Sequence, residues 1–403
     1  MDDGGFYQNF WIDGEPYACV VQLDEVALPV LLAWHLKQAD ALKKFDPWPM
    51  VCAAAVFLVK HKPWTLQERW EENAGYSPST LAAQIAALIC ASEFAAERRE
   101  PGLATYFVEY ADFLRHHIER WTVTHKGDLV AGVPRHFVRI LPMDDAGPTS
   151  SEDIESATIR IRNLPHDRRS VFAARNVVDA GFLELVRYGV YAADDPLVVN
   201  SLTVVDQVLK VDTPGGPCWR RYNHDGYGQC ADGGPFTGTG QGRAWPLLTG
   251  ERAHYEVAAG GTAAALVRAI EDFAGVTDLL PEQIWDQPDL PAASMYFGQP
   301  TGSAMPLCWA HAEYIKLLRS IDDGIPFDRI DPVHQRYCRD QVRQAFEFWT
   351  FGRQVSCVSA GDTLRIQANA AFQLRFTFDD WKTCHEAASS TPGQEIHFFD
   401  LSP

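Results

Sequence analysis

The 403-residue chain lacks most of the features that announce a function directly. Its nine cysteines are scattered and include no CxxC pair; Cys52 in "VCAAAV", Cys90 in "LICA" and Cys308 in "LCWA" lie in apolar surroundings. This spacing argues against a cysteine-held metal or a disulfide framework and for reduced core thiols. Cys218 and Cys230, flanking a glycine-rich loop, are the one pair placed to form a bridge. Basic residues are in deficit, 35 Lys and Arg against 53 Asp and Glu, and the net charge of −18 disfavours nucleic acid or an anionic membrane as the main partner. No apolar run approaches the roughly eighteen residues needed to span a bilayer, and "MDDGGFYQNF" is acidic and glycine-broken, unlike a signal peptide. As written, the chain reads as cytoplasmic. It has no repeat of solenoid period and no low-complexity segment, and "GQGRAW" lacks the strand–turn–helix context of a phosphate-binding loop.

The remaining composition, 46% hydrophobic and 12% aromatic, supports a large buried core. Helical periodicity dominates from about residue 24 to 349. About ten helices are predicted, at 23–38, 49–62, 79–97, 101–121, 181–193, 200–211, 245–259, 261–274, 303–320 and 333–349. Between them run long loops rich in Gly, Pro and aromatics, 61–78, 124–180, 212–244 and 275–302. Loops of this length in a compact domain are usually functional. Helices alternating with large loops are the pattern of a helical barrel with its site at one rim. After about Phe351 the pattern changes to period two in "RQVSCVSAGDTLRIQA", "FQLRFTFDDW" and "EIHFFDL", predicting a small β-rich unit over 351–403 beside a helical unit over 1–350.

Chemistry concentrates in the loops. "QERWEENAGYSPST" places Glu68, Glu71 and Glu72 around Trp70, before a helix that Ser77 and Pro78 are expected to cap and begin. The helix dipole fades within a turn and barely reaches these acids. Desolvation by Trp70 and repulsion from a second carboxylate both raise a carboxyl pKa, which a general acid working near neutrality requires. The same residues also suit a solvated glutamate pair. In "LLPEQIWDQP", Glu282 and Trp285 read either as a helix N-terminus or as half of a sugar site. Two carboxyls flanking a scissile bond are what glycoside hydrolysis needs. "CWRRYNHDGYGQC" offers Arg220, Arg221, Asn223, His224 and Asp225, either as hydroxyl-binding groups or as a structural ion pair. "GQGRAWPLLTGERAHYE" puts Trp245 at a helix start, and "TGSAMPLCWAHAEYIKLLRS" does the same for Trp309 and His311, the histidine reading as packed or capping.

Six segments, "ERWEENAGYSPSTLAAQIAAL", "DAGFLELVRYGV", "WRRYNHDGYG", "GRAWPLLTGERAHYE", "PEQIWD" and "TGSAMPLCWAHAEYIKLLRS", together resemble the bacterial branch of glycoside hydrolase family 15, the glucoamylases and glucodextranases. The resemblance runs in order from about residue 6 to 345. It implies a mainly α fold, an (α/α)6 helical barrel, and inverting release of β-D-glucose from non-reducing ends of α-glucans, oligosaccharide or polysaccharide. Carried over residue by residue, Glu71 corresponds to the general acid and Glu282 to the general base. Glu72, Trp70, Arg221, Asp225, Trp245, Trp285 and Trp309 fall to substrate binding. No cofactor is implied, and calcium is not indicated by the sequence.

Three departures accompany the resemblance. The chain starts inside the barrel, without its first helices or the early Trp-x-Arg-Asp segment that holds the innermost sugar. "PYACVVQLDE" puts Ala18 where relatives have a pocket tryptophan. The β-rich tail tilts the reading toward the glucodextranase-like branch. Two further readings therefore stand beside the hydrolase: a catalytically impaired carbohydrate-binding or assembly protein, and one subunit of a split enzyme. In the latter, a partner chain or self-association completes the barrel.

Overall fold

A computed structural model of the chain describes residues 3–18, 20–143 and 151–402; the side chain of Ala18 lies outside the described residues. Its helices are α1 (Leu23–Gln38), α2 (Trp48–Lys60), α3 (Pro78–Glu97), α4 (Pro101–Thr122), α5 (Leu183–Arg187), α6 (Pro196–Leu209), α7 (Pro246–Ala258), α8 (Ala264–Ala274), α9 (Cys308–Asp323) and α10 (Asp331–His334). Proline in the first turn opens α2, α3, α4, α6 and α7, where its missing N–H would have no intrahelical partner in any case. In α1, the buried residues Leu23, Val26, Ala27, Val30, Leu31 and Trp34 recur at three- and four-residue spacing and form its core face.

The odd-numbered helices pack in succession, α1 on α3, α3 on α5, α5 on α7 and α7 on α9. A second layer is laid over them, α2 and α4 on α3 and α8 on α7. This burial explains α3. It is long and apolar enough to cross a membrane, contrary to the expectation that no segment approaches that length, but 83% of its apolar window is buried inside the protein. It is the central core helix.

Several local expectations are corrected. Helix 181–193 contracts to α5, because Gly189 follows at φ 92°, and a Cβ there would lie 2.8 Å from the Cβ of His334. Helix 333–349 is replaced by α10, a π-helical turn at Gln335–Arg339 and a strand at Phe346–Trp349. Phe346 and Phe348 alternate at period two, and the strand pairs in parallel with Thr363–Ala368, so sheet pairing overrides helical propensity. Ser77 does precede α3, but its side chain caps nothing and its Oγ lies 3.0 Å from Ser79 Oγ. Cys218 and Cys230 are free thiols.

The C-terminal strands form one four-stranded sheet, in the order Phe346–Trp349, Thr363–Ala368, Ile396–Leu401 and Ser390–Gly393, and a hairpin of Gln373–Phe376 with His385–Ala388. The sheet thus begins before Phe351. It is fused to the helices: Phe348 and Ile396 belong to the main hydrophobic core, and Gln367 Nε2 donates to the Val59 carbonyl at 2.8 Å. Arg353 joins Glu347 and Glu152, while Glu152 also accepts from Trp121 Nε1 and Tyr76 Oη.

Candidate active site

The site is assembled from loops that follow the helices. The turn carrying "RWEE" follows α2 and returns through a two-residue strand, Gly75–Tyr76, paired antiparallel with Leu141–Pro142. Gly75 is required there: at φ 150°, a Cβ would sit 2.1 Å from the Leu141 carbonyl oxygen. Within the turn, Glu68 Oε2 accepts from the Trp70 amide at 3.0 Å and the Glu68 carbonyl accepts from the Glu71 amide at 2.6 Å. Glu71 occupies the left-handed region at φ 60°, a conformation that costs a non-glycine residue energy.

Trp70 is buried, with its indole N–H donated to Asp179 Oδ2 at 3.1 Å. Its ring lies 5.7 Å from Trp245 and 6.0 Å from Trp309, centroid to centroid, and Tyr227 stands 6.2 Å from Trp245. Trp309, in the first turn of α9, is the exposed member at 40%. Arg221 runs among these rings, 5.2 Å from Trp70, 4.7 Å from Tyr227 and 5.6 Å from Trp245. Both oxygens of Asp225 accept from it at 2.8 Å, so Asp225 aims the guanidinium rather than standing free.

Arg221 also donates to Glu72 Oε1 at 2.8 Å. Glu72 further accepts from Asn163 Nδ2 at 2.8 Å, from Arg139 at 3.3 Å and from the Tyr222 hydroxyl. Burial pushes the Glu72 carboxyl up, but Arg139, Arg221 and the Tyr222 hydrogen bond outweigh it and hold it below the usual carboxylate range. Glu282 lies on the long loop before α9, tied by its amide to the Ala304 carbonyl at 2.8 Å. Burial raises its carboxyl; hydrogen bonds from Tyr227 and Gln283, and the charge of Arg221, pull partly back. Tyr227 and Arg221 therefore link the Glu282 side of the site to the Glu72 side.

Of the residues singled out from sequence, Trp70, Glu72, Arg221, Asp225, Trp245 and Glu282 are brought together, with Trp309 beside Trp70 at the rim. Two expectations are revised. Trp285 is not with them: it is 1% exposed, its N–H is donated to the Pro288 carbonyl at 2.9 Å, and Arg243 stacks over it at 4.1 Å. Glu71 is exposed rather than desolvated by Trp70, and the charge of Glu72 is compensated by two arginines. The carboxyl that feels Glu71 is Glu25 of α1, raised by burial and by the charge of Glu71. Elsewhere in the 218–230 loop, Arg220, Asn223 and His224 line a cleft of about 470 Å³ that Tyr222 and Asp225 also border, and Arg220 pairs with Asp286 at 2.6 Å. His311 accepts from the Leu280 amide at 2.9 Å, a loop-anchoring role.

Residues not recognised from sequence are Arg139, Asp179, Asn163, Tyr222 and Tyr227. The two tyrosines stand in a loop already marked by its arginines. Arg139 has no local signal at all: it is fully buried, 3.8 Å over the Tyr222 ring and 2.6 Å from Glu68.

The model of the family described as Glycosyl hydrolases family 15 matches residues 4–319. A glucoamylase of Clostridium sp. (strain G0005) is 42% identical over 336 residues, 83% of this chain and 44% of the relative. The crystal structure of a bacterial glucoamylase complexed with acarbose is similar at 42% identity and a TM-score of 0.73, over 83% of this chain and 46% of that one. The Hormoconis resinae glucoamylase, at 13% identity, shares the fold with a TM-score of 0.54 over 98% of this chain and 72% of that one. The chain spans less than half the length of the two bacterial relatives. With a family model covering most of its length and a mainly helical fold ending in strand sheets, the chain belongs to glycoside hydrolase family 15.

Proposed function

We propose that this chain carries the catalytic site of an inverting, exo-acting α-glucan hydrolase that releases β-D-glucose, of glucoamylase or glucodextranase type. Its helices would belong to an (α/α)6 barrel. The observation that carries the reading is the convergence of Glu72, Arg221, Tyr227 and Glu282 on one aromatic-walled site. Trp245 Nε1 is buried there with no protein partner among the described residues, a donor suited to a sugar hydroxyl. The strained backbone at Glu71 is of the kind that concentrates at working sites.

In this reading Glu71 gives its proton to the glycosidic oxygen as the bond to the anomeric carbon breaks. Glu282 takes a proton from the water that attacks that carbon on the opposite face, so the configuration inverts; the two carboxyls need about 6.5–9.5 Å between them to admit the water. Glu72, held ionised, and Arg221 hold the sugar hydroxyls. Glu71→Gln and Glu282→Gln are each expected to cut glucose release from maltose and isomaltose by about 10²–10⁴-fold while leaving the thermal midpoint and sugar binding nearly unchanged. A near-normal rate in either variant refutes its assigned role.

A second reading, favoured by the exposed apolar faces of α1 and α9, is that the chain works with a helical partner segment. Leu28, Leu32 and Leu36 on α1, and Ile315, Leu318 and Ile321 on α9, are all more than a third exposed. Near them His35 of α1 stacks on Phe327, which follows α9, with 5.5 Å between centroids.

A further inference from the structure

We propose that Arg69 is a positioning residue for the reaction, a clamp that fixes the turn bearing Glu71 and the Trp70–Trp309 wall to helix α7 through Glu251. This rests on the reading of the site given above. Arg69 carries no sequence signal beyond its place before Trp70, and its side chain is only 7% exposed.

The geometry is that of a bridge. One end nitrogen of Arg69, Nη2, donates to both oxygens of Glu251, at 2.7 and 2.9 Å. Its other end nitrogen, Nη1, lies 3.7 Å from Glu184 of α5. The guanidinium plane stands 4.4 Å from the Trp70 ring and 5.6 Å from the Trp309 ring. One side chain thus touches the acid-bearing turn, the rim tryptophan of α9 and the buried carboxylates of α5 and α7. Lysine has neither the fork nor the flat face to do this.

A purely stabilising pair would not need this arrangement. Glu71 has a left-handed backbone, tied to Glu68 and Gln67 by hydrogen bonds, and an exposed side chain, so the place of the whole turn is set by what grips its neighbours. Trp70 is gripped twice, by Asp179 on its N–H and by Arg69 on its face. Small misplacements of a reacting group cost rate steeply, so loosening this grip is expected to appear in turnover.

The test compares Arg69→Met with the double variant Arg69→Met/Glu251→Gln, which removes the carboxylate that the single change would leave unbalanced. The inference expects Arg69→Met to lower kcat for maltose about 10–100-fold, with KM changed less than about 5-fold. The double variant should recover most of the lost thermal midpoint and none of the lost kcat. Recovery of kcat together with the midpoint would show that Arg69 is only structural and overturn the inference. Binding of acarbose, followed by tryptophan fluorescence, supplies a readout that needs no turnover. Altered emission and a changed amplitude of quenching are expected in both variants, and wild-type spectra and titrations in both would overturn the clamp. If Glu71→Gln retains turnover, the catalytic reading fails whatever Arg69 does; if Glu71→Gln is inactive and Arg69→Met has normal kcat, the clamp alone fails.

Discussion

Arg139 shows how one residue can govern the electrostatics of a whole site. Its guanidinium has no exposure, faces Glu68 and Glu72, and packs on the ring of Tyr222. Removing one member of a buried ionic group leaves the others charged in a poor solvent. Arg139→Met is therefore expected to destabilise the fold by about 3–5 kcal/mol in urea unfolding. It should also raise the Glu72 carboxyl, because the first of the charges that outweigh its burial is gone. A loss under about 1 kcal/mol would mean that Arg221 and Tyr222 neutralise Glu72 without it.

At the scale of elements, α1 and α9 end the succession of first-layer helices, and each shows an apolar row to solvent. Such faces are costly to leave open and commonly mark a contact surface. Because Leu32 is 58% exposed and Ile315 is 66% exposed, changing both to Gln should alter the thermal midpoint of the isolated chain by no more than about 2 °C. The same change should suppress concentration-dependent association in size-exclusion light scattering. A large drop in the midpoint would show that these side chains are covered in solution, and unchanged association would show that this face is not what drives it.

For the whole molecule, two sets of carboxyls act in opposite directions on pH. Burial raises Asp24 to about 7 and Asp179 to about 6. Each holds its proton in the native state above the pH at which the unfolded chain releases it, so their contribution is complete below about pH 4 and lost as pH rises through 6–7. Glu72, Glu152 and Glu347 are shifted the other way: burial raises each, but their charged and hydrogen-bonding partners outweigh it, bringing Glu347 to about 2. Their contribution is present above about pH 4.5 and lost as pH falls toward 2. Burial lowers His35, His61, His136 and His254, so each adds stability as pH rises toward about 6.5. Calorimetry from pH 3 to 9 should therefore give a midpoint that climbs to about pH 6–7 and then declines, the repulsion of eighteen net negative charges adding to the decline. A midpoint that keeps rising beyond pH 7 would contradict these shifts.

The sequence alone determined what short windows can encode. The stripe of α3, the prolines that open its neighbours and the period-two tail depend on residues within one or two turns, and the long loops marked where chemistry could collect. The same windows misjudged 333–349, where pairing with a later strand overrode helical propensity, and Ser77, whose hydroxyl turned to Ser79 instead of the backbone. Tertiary structure decided which loop residues meet. Arg139 and Arg221 reach Glu72, and Arg69 reaches Glu251, across 67, 149 and 182 residues of chain. No local pattern records such pairings, because the energy that selects them arises only when folding removes these charges from water and leaves each the other as its nearest partner.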